Sequence, residues 1–192
     1  MYQPDILTKE EGGELLKIAR RAMESFVRNE HAPGSGDYPE KFRQLYGIFC
    51  ELLKNNETRG SAVSGLPYPL LPIIDATITS VIASSHEDKR FPAITPDELG
   101  EIKIELSILT EPKYITVKNN LDYLHHIIPG TDGIVFRYGP YESFLPPQTW
   151  EKVKEKELFL EQLCLRAGAS KESWKEPGAE LYTFQAQVFR EE

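Results

Sequence analysis

The chain has 192 residues, 40% of them hydrophobic, with 30 acidic side chains against 22 basic ones and a formal net charge of −8. That length and apolar content suit a folded domain and exclude a disordered chain. The acidic balance argues against a nucleic-acid partner, because phosphate backbones are held chiefly by Lys and Arg, and no apolar run reaches the ~20 residues that span a bilayer.

The first predicted element is an amphipathic helix over 9–29. Leu15, Leu16, Ala19, Ala22, Met23, Phe26 and Val27 recur at the spacing of one helical stripe. Thr8 is its N-cap and Glu11 its capping-box partner, while Gly12 and Gly13 weaken the first turn. Residues 30–40 carry Pro and Gly and read as a loop. Gly47 to Leu53 reads as a strand, mostly buried on both faces. Lys54-Asn55-Asn56 is a turn, and Thr58 to Val63 returns as the second arm of a hairpin. Pro67-Tyr68-Pro69 breaks the chain. A helix then follows on Leu70, Ile73, Ile74, Ile78, Val81 and Ile82 and ends near Ser84-Ser85, with a charged connector, His86 to Pro92, behind it. Thr95-Pro96-Asp97-Glu98-Leu99 has an N-cap, a first-turn Pro and early acids, so a short helix starts there.

Glu101 to Thr110 alternates apolar with polar and reads as a half-buried strand, which Tyr114 to Val117 extends or follows. Leu121 to Ile128 reads as a short helix. Ile134 to Arg137 and Ser143 to Pro146 form a second hairpin across Gly139-Pro140. Pro147 to Ala167 reads as mostly helix, with Gly168 at its C′ position and Glu151 to Glu157 as a solvated face of it. Tyr182 to Val188 alternates and closes the chain as one strand. Hairpins outnumber β-helix-β units, so the predicted fold is α+β, an antiparallel or mixed sheet with packed helices. The expectation is a single domain over 1–192 with room for two lobes.

Residues 1–15 lack a basic-then-apolar leader. Cys50 and Cys164 stand alone and read as reduced, buried thiols, which suits the cytoplasm. No GxGxxG, Walker or Cys/His pattern assigns a cofactor or metal. The adjacent His125 and His126 point roughly 100° apart on a helix and poorly suit one ion.

Several segments resemble one family. Thr58-Arg59-Gly60-Ser61-Ala62-Val63 stands where the AMMECR family carries its Leu-Arg-Gly-Cys-Ile-Gly signature. Asp88-Lys89-Arg90-Phe91-Pro92, Ser107-Ile108-Leu109-Thr110, Asp132-Gly133-Ile134, Leu145-Pro146 and Leu163 to Gly168 follow in family order, and Trp174, Phe184 and Phe189 also fit. The resemblance implies an α+β fold with a larger and a smaller lobe and the signature bordering a cleft between them. It also implies a setting: many prokaryotic members are encoded near a radical-SAM protein and a Memo-like protein, which suggests a shared pathway. This chain departs from the signature: only Arg59 and Gly60 are unchanged, with Ser61 where the family has Cys and Val63 where it has Gly.

These residues define the candidate site. Arg59 is a permanent, planar, five-donor cation suited to a carboxylate or phosphate. Its structural alternative is an ion pair with Glu57, Asp75 or Asp88. Gly60 allows close backbone approach. Asp88 and Arg90 would line the same cleft, so Arg59, Gly60, Ser61, Asp88 and Arg90 form the expected binding set for a small anionic ligand or a protein partner. A different class of reading is a hydrolase or transferase. There Ser61 is the nucleophile and His86 its base, because a serine hydroxyl needs one. A third is a regulatory module that works through protein contacts.

Overall fold

The computed structural model describes residues 4–30, 38–64 and 71–192, so Pro67-Tyr68-Pro69, Leu70 and most of the 30–40 segment lie outside the described residues. Thr8 does start the first helix. Its hydroxyl accepts the Glu11 N–H while the Glu11 carboxylate accepts the Thr8 N–H, and α1 runs Lys9–Val27. The predicted hairpin is β1 (Leu45–Lys54) and β2 (Glu57–Ser64). Asn55 and Asn56 take positive φ, 54° and 63°, the left-handed geometry that a tight two-residue hairpin turn needs and that Asn tolerates.

A two-residue strand, β3 (Leu71–Pro72), pairs with the start of β1 before α2 begins at Ile73 and runs to His86. The helix therefore starts later than its apolar spacing suggested and takes in His86, which the sequence placed in the connector. Thr95 and Glu98 make a second capping box around a 3-10 turn at Pro96–Glu98. β4 (Ile102–Leu109) follows, then β5 (Lys113–Tyr114), a 3-10 turn and α3 (Tyr123–His126). β6 (Gly133–Tyr138) and β7 (Tyr141–Leu145) are the second hairpin.

Two expectations fail for tertiary reasons. The long helix over 147–167 is interrupted: a 3-10 turn covers Pro147–Glu151, and α4 covers only Lys156–Arg166. Between them Val153 turns into the core, and only Lys156 and Glu157 of the charged run 151–157 lie on α4. Gly168 does end that helix, at φ 82°, with the Ala169 N–H bonded to Cys164 O. The closing alternation is two strands, β8 (Glu180–Phe184) and β9 (Ala186–Arg190). At Gln185 the chain leaves one ladder, and Thr110 takes up both Gln185 backbone groups: Thr110 N donates to Gln185 O and Gln185 N to Thr110 Oγ1, each at 2.9 Å.

The fold is α+β with two antiparallel sheets. One has the order β2-β1-β4-β9 with β3 on β1; the other has the order β5-β8-β6-β7. The chain divides into two compact units. Asp5–Leu109 with Gln187–Glu192 holds the first sheet, and Thr110–Ala186 the second. In the first unit Leu15, Ala19 and Met23 of α1 and Ile73, Ala76 and Val81 of α2 share a core with Ile48, Cys50, Leu52, Ile104, Leu106 and Ile108. In the second, Trp150 stacks on Phe159 at 3.9 Å beside Trp174, Phe136 and Leu163, and its Nε1 donates to Asp132 O. The two thiols sit in separate cores, and burial pushes Cys50 up to about 12 and Cys164 to about 11. Among the described residues no helix is long and apolar enough to cross a membrane.

Candidate functional site

The five predicted binding residues all lie in the first unit. The hairpin register explains how they are presented. Leu52 faces Gly60 and Leu53 faces Thr58, so Arg59 is the extra residue of a bulge. A bulge bends a strand and re-aims its side chain, which frees Arg59 from the strict alternation of β2.

Gly60 sits against α2. A Cβ placed there would lie 2.2 Å from the carbonyl oxygen of Ser84. The facing turns of α2 are built for this approach. Ser80, Ser84 and Ser85 are small and buried, and their hydroxyls bond back to Thr77 O, Ser80 O and Ile82 O at 3.1, 2.7 and 2.6 Å. Each buried hydroxyl thus finds an acceptor inside its own helix, and Ser84 Oγ also reaches Cys50 O at 3.2 Å.

Two brackets hold the connector after α2 to this hairpin. The first is Asp88. Its Oδ2 accepts the Ser61 N–H at 2.9 Å, with Ser61 Oγ at 3.3 Å, and its Oδ1 accepts the Arg90 N–H at 3.1 Å. Arg90 closes the group bidentately, Nε to Oδ1 at 2.9 Å and Nη2 to Oδ2 at 2.6 Å, and Nη2 also donates to Ser61 Oγ at 2.8 Å. The Arg90 guanidinium, helped by the two backbone N–H groups, holds the Asp88 carboxyl well below the usual carboxylate range against the opposing effect of burial. Asp88 is 9% exposed and Arg90 55%. The Nη1 group of Arg90 takes part in none of these bonds.

The second bracket is Arg59. Nε and Nη2 meet the two oxygens of Glu98 at 3.1 and 3.0 Å, Nη1 donates to Pro92 O at 2.8 Å, and Nη2 approaches Ala93 O at 3.5 Å. Its partner is Glu98, not Glu57, Asp75 or Asp88. Glu98 is fixed by its own capping box and also faces Lys54 at 3.4 Å. The Arg59 hydrogen bonds lower its pKa to about 2. Phe91 lies between the brackets, its ring centre 6.0 Å from the Arg59 Cζ and 5.2 Å from the Arg90 Cζ.

Ser61 and His86 have different surroundings. Ser61 contacts Asp88 and Arg90. His86 Nδ1 lies 2.8 Å from Ile82 O, which can only accept, its ring packs on Phe26 at 4.7 Å, and its Nε2 is 3.5 Å from Glu87. The carboxylate nearest Ser61 is held ionised by Arg90 and is a poor base for it. His125 and His126 are exposed at the end of α3.

Two further polar residues belong to this face and escape a reading by residue type. Glu51 interrupts the apolar run of β1, sits opposite Ser61 on one side and Glu105 on the other, and accepts a hydrogen bond from the Thr58 hydroxyl. Glu98 could have been marked as fixed by its N3 place in the capping box, but its pairing with Arg59 spans 39 positions.

The fold and this cluster define an α+β protein whose bulged hairpin is clamped to a charged connector by two arginine–carboxylate brackets. The comparisons give that class a family. The AMMECR1 family profile matches residues 16–189, and the chain belongs to that family. It is 36% identical over 189 residues to protein MJ0810 of Methanocaldococcus jannaschii, covering 97% of this chain and 92% of that one. It is 37% identical over 193 residues to a protein of Methanothermobacter thermautotrophicus, covering 100% and 98%. The crystal structure of the uncharacterized protein PH0010 from Pyrococcus horikoshii has a similar fold, with a TM-score of 0.90 at 29% identity over 97% of this chain and 94% of that one.

Proposed function

We propose that this AMMECR1-family protein recognises a small anionic ligand, or an anionic group on a protein partner, at the surface formed by Ser61, Asp88 and Arg90, with Arg59 and Gly60 as its support. The observation that carries this reading is the state of Arg90. Its Nε and Nη2 are fixed by Asp88 and Ser61, while the side chain stays 55% exposed and Nη1 remains outside the network. A guanidinium held on one edge loses little freedom when it binds an anion with the other, which favours affinity. Arg59 has the opposite character: at 14% exposure it is engaged with Glu98 and two carbonyls, so its part is to hold the connector in place. The pathway that the family resemblance implies, with radical-SAM and Memo-like proteins, makes an accessory or substrate-binding role in a modification reaction the setting for this site.

Calorimetric titration of a panel of carboxylates and phosphates separates the roles. Heat seen with the wild type and lost in Arg90→Ala, at an unchanged unfolding midpoint, supports the reading. Equal heats in wild type and Arg90→Ala, or none with any anion, overturn it. No contact favours a Ser61–His86 reaction.

A further inference from the structure

A second region of the first unit has the makings of a binding site. A groove of about 1090 Å³ runs between α1 and the ends of β4 and β9. Its floor is apolar, made by Leu16, Ile102 and Phe189. Six cationic residues line it against two carboxylates, Glu191 and Glu192, in a chain whose net charge is −8.

The cations fall into two groups. Arg20 is part of the wall: its Nε donates to Glu191 at 3.0 Å, and its two terminal nitrogens donate to Leu99 O and Ile102 O at 3.0 and 2.7 Å. Arg190 donates to Asn56 Oδ1. The side chains of Lys9, Lys17, Arg21 and Lys103 have no hydrogen bond or ion pair among the described residues. These four cations outnumber the two carboxylates of the groove, of which Glu191 is held by Arg20, and raise the local positive potential.

The paired glycines of α1 point to an occupant. Gly12 is required by packing, since a Cβ there would lie 2.1 Å from the Phe189 ring. Gly13 has no such reason: a Cβ there meets nothing within 4 Å, and it lines the groove. Glycine weakens a helix interior, so a position that packing would allow to be Ala has been left bare where the groove opens.

We infer that this groove binds an amphiphilic anion, with an apolar body on Leu16, Ile102 and Phe189 and a phosphate or carboxylate head at Lys17 and Arg21, which lie one helical turn apart on α1, while Lys9 and Lys103 add to the positive field of the groove. An apolar bed with few convergent charges is the usual make-up of a small-ligand site. The head group could come from a free amphiphile or from a lipid surface. The site is separate from the Arg90 surface, and its failure would leave that reading untouched.

The test uses the full chain and monododecyl phosphate below its micellar concentration, followed by calorimetry. Inorganic phosphate and a neutral alkyl glycoside of equal chain length serve as arms that lack one half of the ligand. Binding of the phosphate ester at least tenfold tighter than either arm is expected. Lys17→Gln with Arg21→Gln should weaken it about tenfold. Gly13→Leu should fill the floor and abolish it, and Gly13→Ala, which adds one methyl, should leave the fold intact and weaken binding less. Flotation with phosphatidylcholine vesicles carrying phosphatidic acid identifies the source. Capture that Gly13→Leu abolishes assigns the head group to a membrane, and amphiphile binding without capture assigns it to a free molecule. Equal affinity in wild type and Gly13→Leu, or equal affinity for the neutral glycoside, overturns the inference.

Discussion

The two ends of the connector between α2 and β4 use the same ion-pair chemistry to opposite effect. At the Glu98 end, Arg59 is 14% exposed and bonds a carboxylate and two backbone carbonyls. At the Asp88 end, Arg90 is 55% exposed and bonds only a carboxylate and a hydroxyl. A side chain whose donors are all turned inward is a staple, and one with an edge left in solvent can meet a ligand. Arg59, inside the 58–63 stretch, is the staple, and Arg90, outside it, is the one that keeps an edge in solvent.

The sharpest way to break this comparison is to disturb the surface both brackets rest on. Gly60→Ala drives a methyl into the Ser84 carbonyl and is expected to lose about 3 kcal/mol of stability, the upper end for overpacking, read as a lower denaturation midpoint. A midpoint unchanged from wild type would show that β2 and α2 can part without cost. Arg59→Ala is next. It leaves Glu98, which is 19% exposed, without its main partner and should cost about 2 kcal/mol, the scale of charge-assisted hydrogen bonds. Arg90→Ala should stay within about 0.5 kcal/mol, as exposed substitutions do, and lose anion binding instead. If the two variants destabilise equally, the distinction between staple and binder fails.

The pH dependence sharpens the same point. Glu98 titrates at about 2 in the folded protein against an ordinary 4.5. Its folded value is depressed, so the unfolded chain takes up this proton first as pH falls. The stability from the Arg59 pair is therefore complete above about 4.5 and drains away as pH drops towards about 2. Asp88 shifts in the same direction, so the proper measurement is the difference between wild type and Glu98→Gln in acid unfolding. That difference should shrink across this window; a constant difference would deny the pair its role. The smallest effect expected is a gain: Gly13→Ala should add about 0.5–1 kcal/mol, because it meets no neighbour and restricts the unfolded chain. A loss there would mean that the groove beside α1 is tighter than its geometry.

Much of the local structure was legible in residue order. Thr8 with Glu11, the Asn55-Asn56 turn and Gly168 each specify a short-range hydrogen bond or a positive φ, and each is found where expected; the N-cap expected at Thr95 is there too, heading a 3-10 turn whose capping box with Glu98 was not part of the expectation. The period of Ile102, Ile104, Leu106 and Ile108 marked β4. The same period misled at the C-terminal end. Tyr182 to Val188 alternates without a break, yet Gln185 divides it between two sheets, because alternation reports that a face is buried and not which ladder buries it. Val153 ended a helix that its neighbours would have continued, by entering a core assembled from distant strands and helices.

The site divides along the same line. The residue types at 59, 60, 61, 88 and 90 were enough to mark the stretch and to mark Gly60 as a place of close approach. Which carboxylate each arginine would take was decided only by the tertiary structure. The bulge at Arg59 releases it from the strand's alternation, and the capping box brings Glu98 to it across 39 positions. The short reach of Asp88 keeps Arg90, two residues away, at the surface beside Ser61. Sequence determines what a backbone hydrogen bond or a helical period can reach within a few residues; the meeting of charges from separate elements depends on how those elements pack.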